Sequence, residues 1–178
     1  MKKKLQNKGQ GIPLEFMFLA LGLVFGLWFT FTNAPFHTND EDRHFLKAYL
    51  VSKGVIVPEV DSNQAGDEIP QNLYRVVKSY QGMPFHRGAK FDRDRTERLH
   101  EIELNPNNKI FYHDYHYKEN PIPYIPAAIG IALGRMFEAS PVWIGWLGRI
   151  SSLIAYLIIV FIAIRITPIL KSVFFLYA

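Results

Sequence analysis

The sequence predicts an α-helical integral membrane protein with two clear transmembrane helices, the start of a third, and a long external loop domain. Charged residues are absent from residues 16–38 and sparse after Pro121, whereas residues 33–140 carry most of the charge and all 6 histidines. The formal net charge of +4 hides this segregation. Segregation of this kind indicates membrane segments around one aqueous domain, and it argues against a soluble globule or a nucleic-acid-binding protein.

The first predicted transmembrane helix occupies residues 13–32. No residue after Glu15 in this segment is charged, and residues 14–32 would form a helix of about 28 Å, close to the thickness of a bilayer's hydrocarbon core. A cleaved signal peptide is the competing interpretation, because lysines make the amino end basic. The length of the apolar run and the bulky residues around Trp28 favour an uncleaved helix.

The lysines that precede this helix predict its orientation. Lys2, Lys3, Lys4 and Lys8 lie in residues 1–12, and basic residues next to a helix end tend to remain in the cytoplasm. We therefore expect a cytoplasmic basic tail followed by an external domain at residues 33–140.

The external domain is expected to begin with an amphipathic helix at about residues 39–53. Thr38 and Glu41 have capping-box spacing, and Asp40 and His44 would share one helix face. We expect this helix to lie flat on the membrane. The acidic residues of this first turn have two interpretations. Capping of the helix is sufficient to explain them, and the alternative is a site that faces a lipid-anchored substrate.

A histidine-rich stretch at residues 111–117 permits two interpretations. His113, Asp114 and His116 are residue types that bind divalent metals, although a complete site would need ligands from elsewhere in the chain. An interfacial belt of tyrosines at headgroup depth is the alternative, and the spacing favours it. Earlier in the domain, residues 71–80 are predicted to form a short helix with Leu73, Val76 and Val77 facing inward.

The carboxyl-terminal part is predicted to return to the membrane. A juxtamembrane helix at about residues 124–137 is too short to span and is rich in small residues, which permit close packing of another helix. The second transmembrane helix follows at residues 141–166 and contains Arg149, which must snorkel, pair or face a cavity. Residues 167–178 are predicted to form a cytoplasmic turn and the start of a third transmembrane helix.

Several residues together resemble the amino-terminal part of a known family. They are Pro35, Asp40-Glu41, His44-Phe45, Ala48-Tyr49, Ser52 and Gly54, then Pro121-x-Pro-Tyr-Ile-Pro-x-x-x-Gly-x-x-x-Gly-Arg and Leu147-Gly-Arg149. The pattern resembles domain of unknown function 2142, a family of predicted bacterial multi-pass membrane proteins. That family in turn resembles the C-type (GT-C) glycosyltransferases, which use polyprenyl-phosphate-linked sugars in cell-envelope glycan assembly.

The resemblance implies an enzyme of the bacterial cytoplasmic membrane with membrane lipid and a polyprenyl-phosphate-linked sugar as partners. GT-C enzymes carry an acidic motif after their first membrane helix, and Asp40 and Glu41 occupy the matching positions as catalytic base or as contacts to Mg²⁺ or Mn²⁺. His44, Arg149 and Tyr124 are the candidate substrate contacts. No cofactor is required by the residues themselves.

Two departures from the family pattern keep a second function open. Asp42 stands where family members often have proline, and the family continues through more spans than this chain contains, so we expect a fragment of the enzyme. The alternative is a non-catalytic membrane scaffold or interaction subunit whose external domain binds a partner. A small channel subunit is disfavoured by the size of the external domain.

Overall fold

The computed structural model describes residues 12–36, 38–56, 59–61, 64–80, 93–114, 116–167 and 171–177. The elements in chain order are α1 (Leu14–Thr32), α2 (Glu41–Ser52), β1 (Glu59–Asp61), β2 (Gln64–Pro70), α3 (Gln71–Ser79), α4 (Arg93–His100), β3 (Lys109–His113), a 3₁₀ turn (Ile122–Tyr124), α5 (Ile125–Met136), α6 (Pro141–Ile166) and α7 (Lys171–Tyr177). The predicted basic tail lies outside the described residues except for its last position, Ile12.

Two helices, α1 and α6, are long and apolar enough to cross a membrane. They pack side by side, because Gly22 and Gly26 of α1 let Leu157 and Leu153 of α6 approach closely. Large apolar side chains elsewhere on α1 are exposed, among them Trp28 at 66%. Exposed apolar side chains suit contact with lipid, and the prediction of two candidate membrane-spanning helices is confirmed.

The short helix α7 contacts both α1 and α6. Its 7 residues correspond to about 10 Å of helix, which is not enough to cross a bilayer. The third transmembrane helix therefore stays a prediction.

Between the two long helices, the described residues of 33–140 form an intervening domain whose hydrophobic core also includes the start of α6. The three strands form an antiparallel sheet in the order β1-β2-β3, with Glu68 opposite Phe111. Helix α3 follows β2 directly and buries Leu73, Val76 and Val77, as its apolar spacing predicts. Its apolar face joins α2, α5 and the start of α6 in one hydrophobic cluster.

Helix α2 is enclosed by this domain. Leu46, Lys47 and Leu50 are fully buried, and α5 packs along the helix. The apolar face that was expected to rest on the membrane is therefore covered by protein, and the position of α2 relative to a membrane stays a prediction. Helix α5, the 3₁₀ turn and ion pairs with β2, α3 and the segment after β3 cover its surface, whereas Arg43 and His44 remain exposed.

Helix α5 packs closely against α6, and glycines make this possible. A Cβ atom at Gly130 would lie well inside van der Waals contact with the backbone carbonyl of Leu147, and one at Gly134 would lie 3.0 Å from Ile144. The small residues in this segment thus have the packing role that the sequence predicts.

Gly130→Ala is expected to lower the free energy of unfolding by about 1–3 kcal/mol, because the two helix backbones must separate to admit the methyl group. Thermal unfolding of the purified protein in detergent measures the effect. Gly148→Ala is the matched control, since its added Cβ would lie 3.2 Å from the flexible side chain of Ile131. Equal melting temperatures for the two variants would contradict the close packing at Gly130.

Candidate functional site

A cavity of about 380 Å³ lies between α2, α5, the first half of α6 and the 3₁₀ turn. Its walls are mostly apolar, with Phe36, Phe45 and Ile131 among them, and its polar groups are Glu41, His44, Tyr124, Arg149 and Ser152. The volume lies in the range of small-molecule sites. Four of the five predicted site residues therefore line a single cavity, although they come from three separate parts of the chain.

Arg149 has a hydrogen-bond partner for each of its five N–H groups. Nε and Nη2 donate to the two carboxylate oxygens of Glu41 at 2.6 and 2.7 Å. The remaining N–H groups donate to the backbone carbonyls of Thr30 (3.3 Å), Asn33 (2.8 Å) and Ala34 (2.9 Å). These carbonyls lie at and just beyond the end of α1, where the helix leaves its carbonyl groups without internal partners. Arg149 therefore joins α1, α2 and α6.

Glu41 is the opposite half of this ion pair. Its carboxylate also accepts hydrogen bonds from the hydroxyl (2.6 Å) and backbone N–H (3.3 Å) of Thr38. Burial works to raise the pKa of Glu41, but the hydrogen bonds and charge of Arg149 and the bonds from Thr38 outweigh it, and the pKa is lowered. Glu41 is therefore ionised at neutral pH and engaged in holding α2 to α6.

Only half of the predicted capping box forms. The carboxylate of Glu41 reaches back to Thr38, but the hydroxyl of Thr38 donates to that carboxylate and no side-chain cap bonds the helix N–H groups. The residue before the helix is Asp40, in the left-handed conformation with φ 59°. The chain therefore turns sharply at Asp40, one residue before α2 begins.

Asp40 stands apart from the other predicted site residues. Its side chain is 46% exposed and lies 3.5 Å from Arg43. The described residues that line the cavity do not include it. The role of Asp40 as a catalytic base stays a prediction, as do the catalytic and metal roles of Glu41.

A second set of polar side chains lies beside the cavity, and we call it the histidine–glutamate cluster: His44, His116, Glu119 and Tyr124. Nδ1 of His44 lies 2.8 Å from the hydroxyl oxygen of Tyr124, and that hydroxyl donates to Glu119. The other carboxylate oxygen of Glu119 lies 2.6 Å from Nδ1 of His116. The imidazole rings of His44 and His116 face each other with centroids 4.6 Å apart.

The pKa values of two cluster members, Glu119 and Tyr124, are shifted in opposite directions. Hydrogen bonds from Tyr124 and His116 lower the pKa of Glu119. Partial burial and the neighbouring carboxylate of Glu119 raise the pKa of Tyr124 well above its ordinary value. At neutral pH the carboxylate is therefore ionised, and the tyrosine hydroxyl stays protonated and donates to it.

A buried ion pair positions the cluster. Nζ of Lys47 donates to Oδ2 of Asp114 at 2.8 Å, and both side chains are 0% exposed. Oδ1 of the same aspartate accepts the backbone N–H of His116 at 2.9 Å. Lys47 lies one turn after His44 on α2, so this pair holds the segment with His116 next to the helix with His44.

The sequence identified only part of this cluster. His44, Tyr124 and His116 were singled out. Glu119 was missed although its partners His116 and Tyr124 are near in the chain, and Lys47 was missed because its partner Asp114 lies 67 positions away. The tyrosine belt explains residues 111–117 only in part, since Tyr112 is buried in the domain core near Tyr74. Tyr115 lies outside the described residues. The spacing of His116 and Glu119, three residues apart, was the available signal.

Two apolar helices long enough to cross a membrane are joined through Arg149, and the domain between them closes a cavity against α6, an arrangement that fits an α-helical membrane protein. A family model described as predicted membrane protein (DUF2142) matches residues 23–178. The chain therefore belongs to the DUF2142 family, and the resemblance found in the sequence is confirmed at this level. No curated protein and no solved structure matches the chain.

Proposed function

We propose that the chain is the amino-terminal part of a GT-C-type membrane glycosyltransferase that uses a polyprenyl-phosphate-linked sugar. In this proposal the cavity holds the part of that donor where the lipid chain meets the head group. The observation that supports the proposal is the composition of the cavity, which combines long apolar walls with polar groups contributed by α2, α6 and the 3₁₀ turn. An amphipathic ligand needs both kinds of surface. The acidic turn before α2 matches the acidic motif of GT-C enzymes.

The chemistry follows from the ligand class. The acceptor oxygen attacks the anomeric carbon of the sugar, the bond from that carbon to the phosphate oxygen breaks, and the lipid phosphate leaves as an anion. A carboxylate that removes the acceptor's proton makes the hydroxyl a better nucleophile. In this proposal Asp40 is the base, because its carboxylate is accessible and because it directly precedes Glu41 in the chain, which lines the cavity.

The geometry changes the expected role of Arg149. A guanidinium has five N–H donors, and all of them have protein partners here. Arg149 is therefore engaged with protein groups and its charge is balanced by Glu41, so in this proposal a direct contact to the phosphate falls to His44, which lines the same cavity.

Filling the cavity tests the proposal. Ala127→Trp puts a large ring into the cavity lining, whereas Ala132→Trp changes the same helix, α5, at a position outside that lining. We expect wild type and Ala132→Trp to bind radiolabelled polyprenyl phosphate in detergent, and Ala127→Trp to lose binding by at least about tenfold. Equal binding by both variants, with matched melting temperatures, would contradict a lipid site in this cavity.

A transfer assay separates binding from chemistry. With a radiolabelled polyprenyl-phosphate sugar and a mixed acceptor pool, Asp40→Asn should keep lipid binding and lose transfer by a factor of about 10²–10⁴. Asp94→Asn is the matched control, since Asp94 is an exposed carboxylate on α4. Undiminished transfer by Asp40→Asn would remove Asp40 from the mechanism.

A non-catalytic subunit is the second candidate function. The observation that favours it is the engagement of Glu41 and Arg149 with each other, which gives two of the predicted site residues a structural task. Lipid binding without transfer by the wild-type protein, under conditions where a homologous enzyme is active, would support this function.

A further inference from the structure

We propose that His44, His116 and Glu119 bind one divalent transition-metal ion of the zinc class. Each residue offers one ligand atom, and these three atoms all lie within 4.8 Å of one another. His44 comes from α2, whereas His116 and Glu119 come from the segment after β3, so the site exists only in the folded domain. This inference goes beyond the proposed glycosyl transfer, which does not require it.

The hydrogen bonds show which ligand atoms face one another. Oε1 of Glu119 lies 2.6 Å from Nδ1 of His116. Nδ1 of His44 lies 2.8 Å from the hydroxyl oxygen of Tyr124, and that hydroxyl donates to the other carboxylate oxygen of Glu119. An ion bound by Nδ1 of each histidine and by Glu119 would take the place of the protons that these groups now share. The hydroxyl of Tyr124 would remain hydrogen-bonded to the ligating carboxylate, as outer-shell groups of metal sites characteristically are.

The site is held in place before any ion binds. The backbone N–H of His116 donates to Asp114, whose other oxygen is fixed by the buried ammonium of Lys47 on α2. In a tetrahedral zinc site the ligand atoms lie about 3.3 Å apart, so ligand atoms separated by as much as the 4.8 Å limit would move closer by about 1.5 Å. His44 and Glu119 are exposed and free to make this adjustment.

The donor set determines the class of metal. Two imidazole nitrogens and one carboxylate oxygen suit Zn²⁺ and similar ions, whereas Mg²⁺ prefers an all-oxygen octahedral shell. Three protein ligands leave a fourth position open, as in catalytic zinc sites. Because His44 also lines the cavity, a water molecule or a phosphate oxygen in the cavity is the natural fourth ligand.

Metal titration of the purified chain tests the inference. The protein is prepared in detergent with its affinity tag removed, stripped with a chelator, and titrated with ZnCl₂, MnCl₂ and MgCl₂ in a calorimeter. We expect one equivalent of Zn²⁺ to bind and Mg²⁺ to bind at least about 100-fold more weakly. Less than half an equivalent of Zn²⁺, or equal affinities for Zn²⁺ and Mg²⁺, would overturn the proposal.

Matched variants assign the ligands. His116→Ala and Glu119→Gln should each weaken Zn²⁺ binding by at least about 100-fold. Because Glu119 is exposed, its variant is expected to keep the melting temperature of the wild type. His113→Ala removes an exposed histidine of the same segment and should bind like wild type. Unchanged binding by Glu119→Gln, or an equal loss in His113→Ala, would refute the assignment. No sugar donor is present, so the result does not depend on glycosyl transfer.

Discussion

Arg149→Met is expected to lower the free energy of unfolding by about 3 kcal/mol or more, because it leaves the carboxylate of Glu41 without its partner. The side chains of Arg149 and Glu41 are each 20% exposed, so solvent compensates little for the lost pair. Three backbone carbonyls around the end of α1 lose their donors in the same variant. Thermal unfolding in detergent measures the loss.

Two further variants make this prediction specific. Arg75→Met removes an exposed arginine from α3 and should change stability by less than about 0.5 kcal/mol. Glu41→Gln combined with Arg149→Met should be more stable than Arg149→Met alone, because the double variant no longer contains the uncompensated carboxylate. A melting temperature for Arg149→Met equal to that of Arg75→Met would show that the pair is not needed.

The same pair predicts acid sensitivity. The pKa of Glu41 is below 4.5 in the folded protein and about 4.5 in the unfolded chain, so the unfolded chain binds the extra proton first as pH falls. The pair's contribution is therefore complete above pH 4.5 and is lost as pH falls below this value through the folded pKa. The difference in melting temperature between wild type and Glu41→Gln should shrink over that window and stay constant near neutral pH.

Lys47→Met is expected to cost about 3–5 kcal/mol, because Asp114 would remain fully buried and charged without its partner. The variant should also weaken Zn²⁺ binding, since Asp114 positions His116 through its backbone N–H. Chemical or thermal unfolding and calorimetry measure the two effects separately.

A less buried ion pair at the end of the same helix is the matched control. Lys53 lies 2.9 Å from Asp67, with side chains 23% and 32% exposed, and Lys53→Met should cost no more than about 1 kcal/mol. Lys47→Met combined with Asp114→Asn should recover most of the lost stability, because the buried charge is gone while an oxygen remains for His116. Equal costs for Lys47→Met and Lys53→Met would contradict the importance of burial.

The parts of this fold that the sequence predicted are those determined by local pattern. A long apolar run with few charges sufficed to predict α1 and α6, and the motif residues Glu41, His44, Tyr124 and Arg149 do line one cavity. Local pattern shows which residues share a helix face, but it does not show how many faces other elements will cover. For that reason the apolar face of α2 was predicted to rest on a membrane, although protein covers it.

The histidine–glutamate cluster required long-range information. Glu119 meets Tyr124 within its own turn, but its relation to His44 depends on how the segment after β3 returns to α2. Lys47 looks like an ordinary solvated lysine until Asp114, 67 positions later, is placed beside it. Only tertiary structure distinguishes such a residue from the exposed lysines around it.

The partners of Arg149 also have a consequence for biosynthesis. An arginine within an apolar helix costs about 2.5–3.5 kcal/mol at the centre of an isolated inserting helix, although less near its end. Every acceptor that binds Arg149 belongs to Thr30, Asn33, Ala34 or Glu41, all of which leave the ribosome before α6 does. We therefore expect the earlier part of the nascent chain to supply the hydrogen-bond acceptors for this charge by the time α6 is synthesised.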